Sequence, residues 1–134
     1  MAGYSGTPLS RKLGLKPGLR VAVIDPPMDY RELVDDLPDG LLFEPKPTAG
    51  TGLVHLFATE ARVLARELAA LRARLRPDAV LWVSWPKKAS GRPTDITEDT
   101  IRTLALPLGW VDVKVCAVDA VWSGLKLVVR RSER

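Results

Sequence analysis

Short aliphatic runs, separated by stretches with helical spacing and closed by Pro and Gly, predict an α/β domain. The expected architecture is a mostly parallel sheet with helices on both faces and a C-terminal antiparallel hairpin. Three observations carry this. Residues 19–24, 53–57 and 79–85 are nearly continuous apolar runs, as strands covered on both faces must be. Leu64, Leu68, Leu71 and Leu75 recur at helical spacing and form an apolar stripe between Arg and Glu positions. The last two apolar runs are joined by a link too short for a crossover, so they pair antiparallel.

In chain order, residues 1–18 read as an N-terminal arm with a short helix. Thr7-Pro8 starts that helix, Gly14 ends it and Lys16-Pro17-Gly18 turns the chain. Residues 19–24 are the first strand, stopped by Asp25-Pro26-Pro27. A helix is expected from Asp29 to Leu37, with Tyr30, Leu33, Val34 and Leu37 on one face. Pro38-Asp39-Gly40 turns into a short strand at residues 41–43, and residues 45–52 lack periodicity and read as a loop. The third strand, residues 53–57, leads through a capping Thr59 into the helix at about residues 60–75. Pro77-Asp78 ends it. The fourth strand runs to Trp85 and stops at Pro86. Residues 87–94 are a polar loop, and Thr97-Glu98-Asp99 has the capping hydroxyl and first-turn acids of a helix start. Pro107 and Gly109 close that helix. Residues 111–118 form a strand, Trp122-Ser123-Gly124 makes the return and residues 125–130 run back.

Length and composition set limits. The 134 residues match one domain, 1–134, and 46% hydrophobic with 27% charged residues is the globular range. One cysteine, Cys116, excludes an internal disulfide, and with one histidine, His55, no metal site is expected. No apolar run reaches the ~18 residues of a membrane span, and the N-terminus has no secretory signal, so a cytoplasmic location and no membrane partner are expected. The net charge of +4 is uneven. Residues 29–44 are acidic, whereas Arg62, Arg66, Arg72, Arg74, Arg76, Lys87, Lys88 and Arg92 make the middle basic, a pattern shared by solvated helix faces and phosphate-binding patches.

Ligands of open parallel sheets bind beyond the carboxyl ends of the strands. That rule selects Asp25 after the first strand, the end of the third strand at Ala58-Thr59, and Ser84, Trp85, Lys87 and Lys88 around the end of the fourth. It adds Asp119 and Trp122 from the terminal return. Trp85 and Trp122 offer flat apolar faces and the two lysines offer positive charge, a set suited to a small anionic or aromatic ligand or a single nucleic-acid strand. Phosphate cradles are missing, because Ile24-Asp25-Pro26-Pro27-Met28 holds no glycine and no Walker lysine motif is present. Catalytic groupings are thin. His55 lies within an apolar strand and reads as a core histidine, Cys116 reads as buried and inert, and Asp25 and Asp95 remain as bases. No cofactor is expected from these residues.

Two resemblances follow from the motifs. Leu15-Lys16-Pro17-Gly18-Leu19-Arg20-Val21 entering the first strand, and the strand, helix and hairpin of residues 79–130, resemble class I methyltransferase domains, which implies a Rossmann-like sheet. Asp25-Pro26-Pro27 replaces that family's glycine-rich cofactor loop, and residues 45–52 replace its long middle. Ser5-Gly6-Thr7-Pro8-Leu9, Lys12-Leu13-Gly14, Trp82-Val83-Ser84-Trp85-Pro86-Lys87-Lys88, Thr97-Glu98-Asp99, Lys114-Val115-Cys116-Ala117-Val118-Asp119 and Trp122-Ser123-Gly124-Leu125-Lys126 resemble a family of small bacterial proteins known as a domain of unknown function. That likeness implies a bacterial cytosolic protein and no particular activity. The leading expectation is a non-catalytic module that binds a small ligand or protein partner at the edge made by Trp85, Lys87, Lys88 and Trp122. One alternative is nucleic-acid binding through the basic helix 60–76, and another is a small transferase-like enzyme using an adenosine-containing cofactor. A homodimer through that helix or through an edge strand 125–130 is a further expectation.

Overall fold

Apolar runs bounded by turn residues become strands wherever both faces can be covered. In the computed structural model, which describes residues 6–134, the strands are β1 (Arg20–Ile24), β2 (Leu42–Glu44), β3 (Leu53–Phe57), β4 (Val80–Pro86), β5 (Trp110–Ala117) and β6 (Trp122–Val129). The helices are α1 (Leu9–Leu13), α2 (Tyr30–Leu33), α3 (Ala61–Arg74) and α4 (Glu98–Ala105). The strands form one sheet in the order β2-β1-β3-β4-β6-β5. β2, β1, β3 and β4 are mutually parallel, and β6 is antiparallel to both β4 and β5. The mixed α/β class expected from the sequence is therefore observed. Residues 1–5 of the expected arm lie outside the described residues.

The period-two alternation of strand side chains divides the core into two layers. On one face Val54, Leu56, Leu81, Val83, Trp85, Leu125 and Leu127 pack under Leu64, Leu68 and Leu71 of α3 and Ile101 and Ala105 of α4. On the other, Val21, Leu53, Phe57, Trp82 and Trp122 pack with Leu13, Leu15, Tyr30 and Val34 from the α1 and α2 segments. No helix among the described residues is long and apolar enough to cross a membrane.

Four expectations change. The helix expected over residues 29–37 stops after Leu33. Val34 leaves the helical region, and Asp36 is drawn away to accept from Ser10 N at 3.2 Å and Ser10 Oγ at 2.9 Å. Asp36 thereby serves the start of α1, and Pro38 disfavours a helical residue before it. The start of α3 uses Asp95 instead of Thr59, since Ala61 N donates to Asp95 Oδ1 at 2.7 Å. Trp122, Ser123 and Gly124 belong to β6, not to a turn, because Gly124 has to pass close to the Trp82 ring. A Cβ on Gly124 would lie 3.2 Å from Trp82 Cε3. Finally, β6 inserts between β4 and β5, so residues 125–130 are not a free edge and cannot pair with another copy as an edge strand. The edges are β2 and β5.

Candidate functional site at the switch point of the sheet

Chain direction decides where an open parallel sheet leaves a crevice. From β1 the chain moves to β2 on one side, whereas β3 and the strands after it build outward on the other. The neighbours β1 and β3 thus flank the topological switch point, and a ligand crevice is expected beyond their carboxyl ends. A cavity of about 300 Å³ lies there, lined by Asp25 after β1, by Phe57, Ala58, Thr59 and Glu60 after β3, by Val63 of α3 and by Trp122 of β6. That volume is at the lower end of ligand-sized pockets.

Local structure positions each wall. Asp25 ends β1 with φ 53°, in the left-handed region, and it is the one non-glycine residue with positive φ among the described residues. The following Pro26 makes this more unusual, since residues before proline prefer extended backbone. Trp122 opens β6 opposite Pro86, and its ring meets Phe57 edge-on with centroids 5.4 Å apart. Its backbone N–H donates to Asp119 Oδ1 at 2.7 Å, and Val121 N–H donates to the same oxygen at 2.8 Å. Asp119 thus fixes the β5–β6 turn that delivers Trp122. No basic residue lines the cavity.

The structure brings four of the sequence-selected residues, Asp25, Ala58, Thr59 and Trp122, into this cavity. It separates the others. Trp85 is buried on the opposite face of the sheet from Trp122, among the α3 and α4 contacts. Ser84 is fully buried, and its Oγ lies 2.7 Å from His55 Nε2. Lys87 donates its backbone N–H to Val121 O at 2.8 Å, Lys88 starts an exposed 3-10 turn, and neither lines the switch-point cavity. Asp119 is a turn residue beside a larger cavity of about 440 Å³. That cavity, lined also by Leu9, Lys12, Glu32 and Asp35, lies off the switch point. The joint edge of Trp85, Lys87, Lys88 and Trp122 therefore does not exist as one surface. Phe57, Glu60 and Val63 were not selected from the sequence. The pattern of Phe57 marks core, and Glu60 and Val63 belong to a helix start whose position beside the strand ends emerges only in three dimensions.

His55 is wholly buried in the layer beneath. Its Nδ1 lies 2.7 Å from Tyr30 Oη, and its ring stacks on Phe57 with centroids 4.3 Å apart. Burial lowers its pKa to about 3 and raises that of Tyr30, so both are neutral near pH 7. Tyr30, His55 and Ser84 form a closed polar chain inside an apolar layer, as buried polar groups require. Asp95 is likewise occupied at the start of α3. In the basic helix, Arg62, Arg72 and Arg76 pair with Glu60, Glu133 and Asp78. Among the described residues there is no group of three or more His, Cys, Asp or Glu side chains placed to hold a metal.

No protein-family model matches the chain, and no curated protein matches it in sequence. Its fold is similar to that of a SAM-dependent methyltransferase from Aquifex aeolicus, with a TM-score of 0.62, 13% identity and coverage of 90% of this chain and 88% of that one. A Sulfolobus solfataricus protein described as a type 11 methyltransferase gives 0.59 and 14%, over 94% and 92% of the chains. Fibrillarin from Aeropyrum pernix, solved with natively bound S-adenosyl-L-methionine, gives 0.55 and 12%, over 90% and 73%. At these identities the likeness is one of fold: the chain has a Rossmann-like, methyltransferase-like sheet. The expectation of a non-catalytic binding module is corrected by this finding, because the proteins of similar fold include two described as methyltransferases and one solved with bound S-adenosyl-L-methionine.

Proposed function

We propose that this chain is a small transferase that takes S-adenosylmethionine in the cavity between the ends of β1 and β3. The single observation that supports this best is the coincidence of that cavity with the switch point of a methyltransferase-like sheet. The donor set narrows the cofactor. Dinucleotides need a glycine turn for the pyrophosphate, and here the turn lacks glycine. S-adenosylmethionine carries no phosphate and has no such need. Glu44, the acid at the end of β2, accepts from the Thr51 hydroxyl at 2.5 Å and pairs with Arg20 at 2.5 Å, and those bonds pull its carboxyl below the usual range, so its occupied state bears equally on any ribose. A cavity with two carboxylates, an indole and no cation disfavours phosphate and suits a nucleoside with positive charge.

When bound, S-adenosylmethionine supplies a methyl group carried on a sulfonium. In this reading Trp122 and Phe57 give the apolar wall, Thr59 gives a hydroxyl, and Asp25 and Glu60 give the negative charge. Val63 of α3 adds to the apolar lining. A bacterial cytoplasmic setting belongs to the same proposal. Thermal unfolding with added nucleosides tests it. Ligand at 100 times its dissociation constant adds ~2.7 kcal/mol of stability, so S-adenosylmethionine is expected to raise the unfolding midpoint clearly. ATP and NAD are expected to leave it unchanged. A shift with ATP and none with S-adenosylmethionine would overturn the assignment.

A further inference from the structure

Asp25 combines three features. It lines the switch-point cavity, its backbone is in the left-handed region, and its carboxylate has no hydrogen-bond or ion-pair partner among the described residues. The left-handed conformation suits glycine, and a side chain held there normally has a local reason. The chain carries a net charge of +4, yet no Lys or Arg reaches this cavity. The start of α3 beside it already has Asp95 on Ala61 N–H, so an incoming anion finds that amide taken. Glu60 adds a second carboxylate, partly matched by Arg62 at 3.2 Å. Trp122 adds a ring whose face attracts cations.

We propose that Asp25 makes the cavity selective for a positively charged nucleoside, so that S-adenosylmethionine binds more tightly than S-adenosylhomocysteine. This rests on the function proposed above and adds a discriminating residue to it. The two nucleosides share adenine, ribose and the amino-acid portion. They differ by a methyl group and by the charge on sulfur. A neutral recognition surface holds both alike. A surface with an unpaired carboxylate holds the charged one better, and methyl transfer then weakens the hold on the spent nucleoside.

Isothermal titration calorimetry with both nucleosides tests the proposal, using the wild-type protein, Asp25→Asn and Asp25→Gly. Asn and Gly both accept the left-handed backbone, so both variants are expected to fold, which a thermal melt checks. In the wild type, S-adenosylmethionine is expected to bind about three- to fivefold more tightly at low salt, the scale of one favourable, exposed charge contact. Raising the salt is expected to narrow the gap. In both variants the ratio falls to about one, through weaker S-adenosylmethionine binding alone. Equal affinities in the wild type, an unchanged ratio in the variants, or equal loss of both nucleosides would overturn the charge selectivity while leaving the cofactor reading intact. Binding of neither nucleoside to the wild type would overturn the cofactor reading itself.

Discussion

Replacing Trp82 by alanine is expected to destabilise the protein by about 3–5 kcal/mol, the range for emptying a large buried aromatic site. Trp82 is fully buried at the centre of β4. Its indole N–H donates to Leu13 O at 2.9 Å, one of the carbonyls that the short helix α1 leaves without a helical partner. Gly124 on β6 packs against the other side of the ring. One side chain therefore joins the N-terminal segment, the central strand and the inserted strand. Trp82→Phe keeps most of the volume and removes the donor, so a loss of ~1–2 kcal/mol is expected. Urea denaturation at constant m-value separates the two. A Trp82→Ala variant within about 1 kcal/mol of wild type would mean that the α1 segment does not pack on this face as described.

Acidification is expected to weaken the fold through His55 in particular. Its folded pKa is about 3, below the unfolded value near 6.5, so the native state refuses a proton that the unfolded chain accepts. The sign follows: this contribution is fully present above pH 6.5 and declines as pH falls from there toward about 3. The slope for one group is ~1.4 kcal/mol per pH unit, so a loss on the order of 2–3 kcal/mol is expected by pH 4.5. Both neighbours of the ring, Tyr30 and Ser84, carry hydroxyls that can accept from a charged imidazole. The cost therefore comes from burying the charge, not from a broken bond. His55→Gln removes the titration while keeping a polar side chain. Its stability at pH 7 is expected to fall by ~1–3 kcal/mol, and its difference from wild type is expected to shrink as pH falls from 6.5 to 4.5. A difference that stays constant over that window would show that His55 takes up its proton in the folded state.

The sequence carried the local part of this structure well. The apolar runs of β1, β3 and β4 and the leucine stripe of α3 are properties of neighbouring residues, as is the Thr97 hydroxyl that accepts Thr100 N–H at 3.2 Å. What it could not carry is pairing across distance. β6 alternates as any strand does, and nothing in residues 122–129 says that it lies between β4 and β5. Gly124 looked like a turn residue because its reason, the Trp82 ring, is distant in sequence. Asp36 read as part of a helix and Asp95 as a candidate base, because the amides they accept from lie in other elements. At the site, the strand-end rule found Asp25, Ala58, Thr59 and Trp122. It also grouped Trp85 with Trp122, because position along the chain does not reveal which face of a sheet each ring occupies. The left-handed backbone of Asp25 left no mark in the sequence, where Asp-Pro reads as an ordinary turn.

The location of the site is the claim on which the functional account depends. Titration of ¹⁵N-labelled protein with S-adenosylmethionine, followed by amide and indole NMR shifts, tests it most directly. The largest, saturable shifts are expected at the amides of Asp25, Ala58, Thr59 and Glu60 and at the indole N–H of Trp122. An unperturbed spectrum at millimolar nucleoside, or shifts confined to Lys12, Glu32 and Asp35 around the larger cavity, would contradict it.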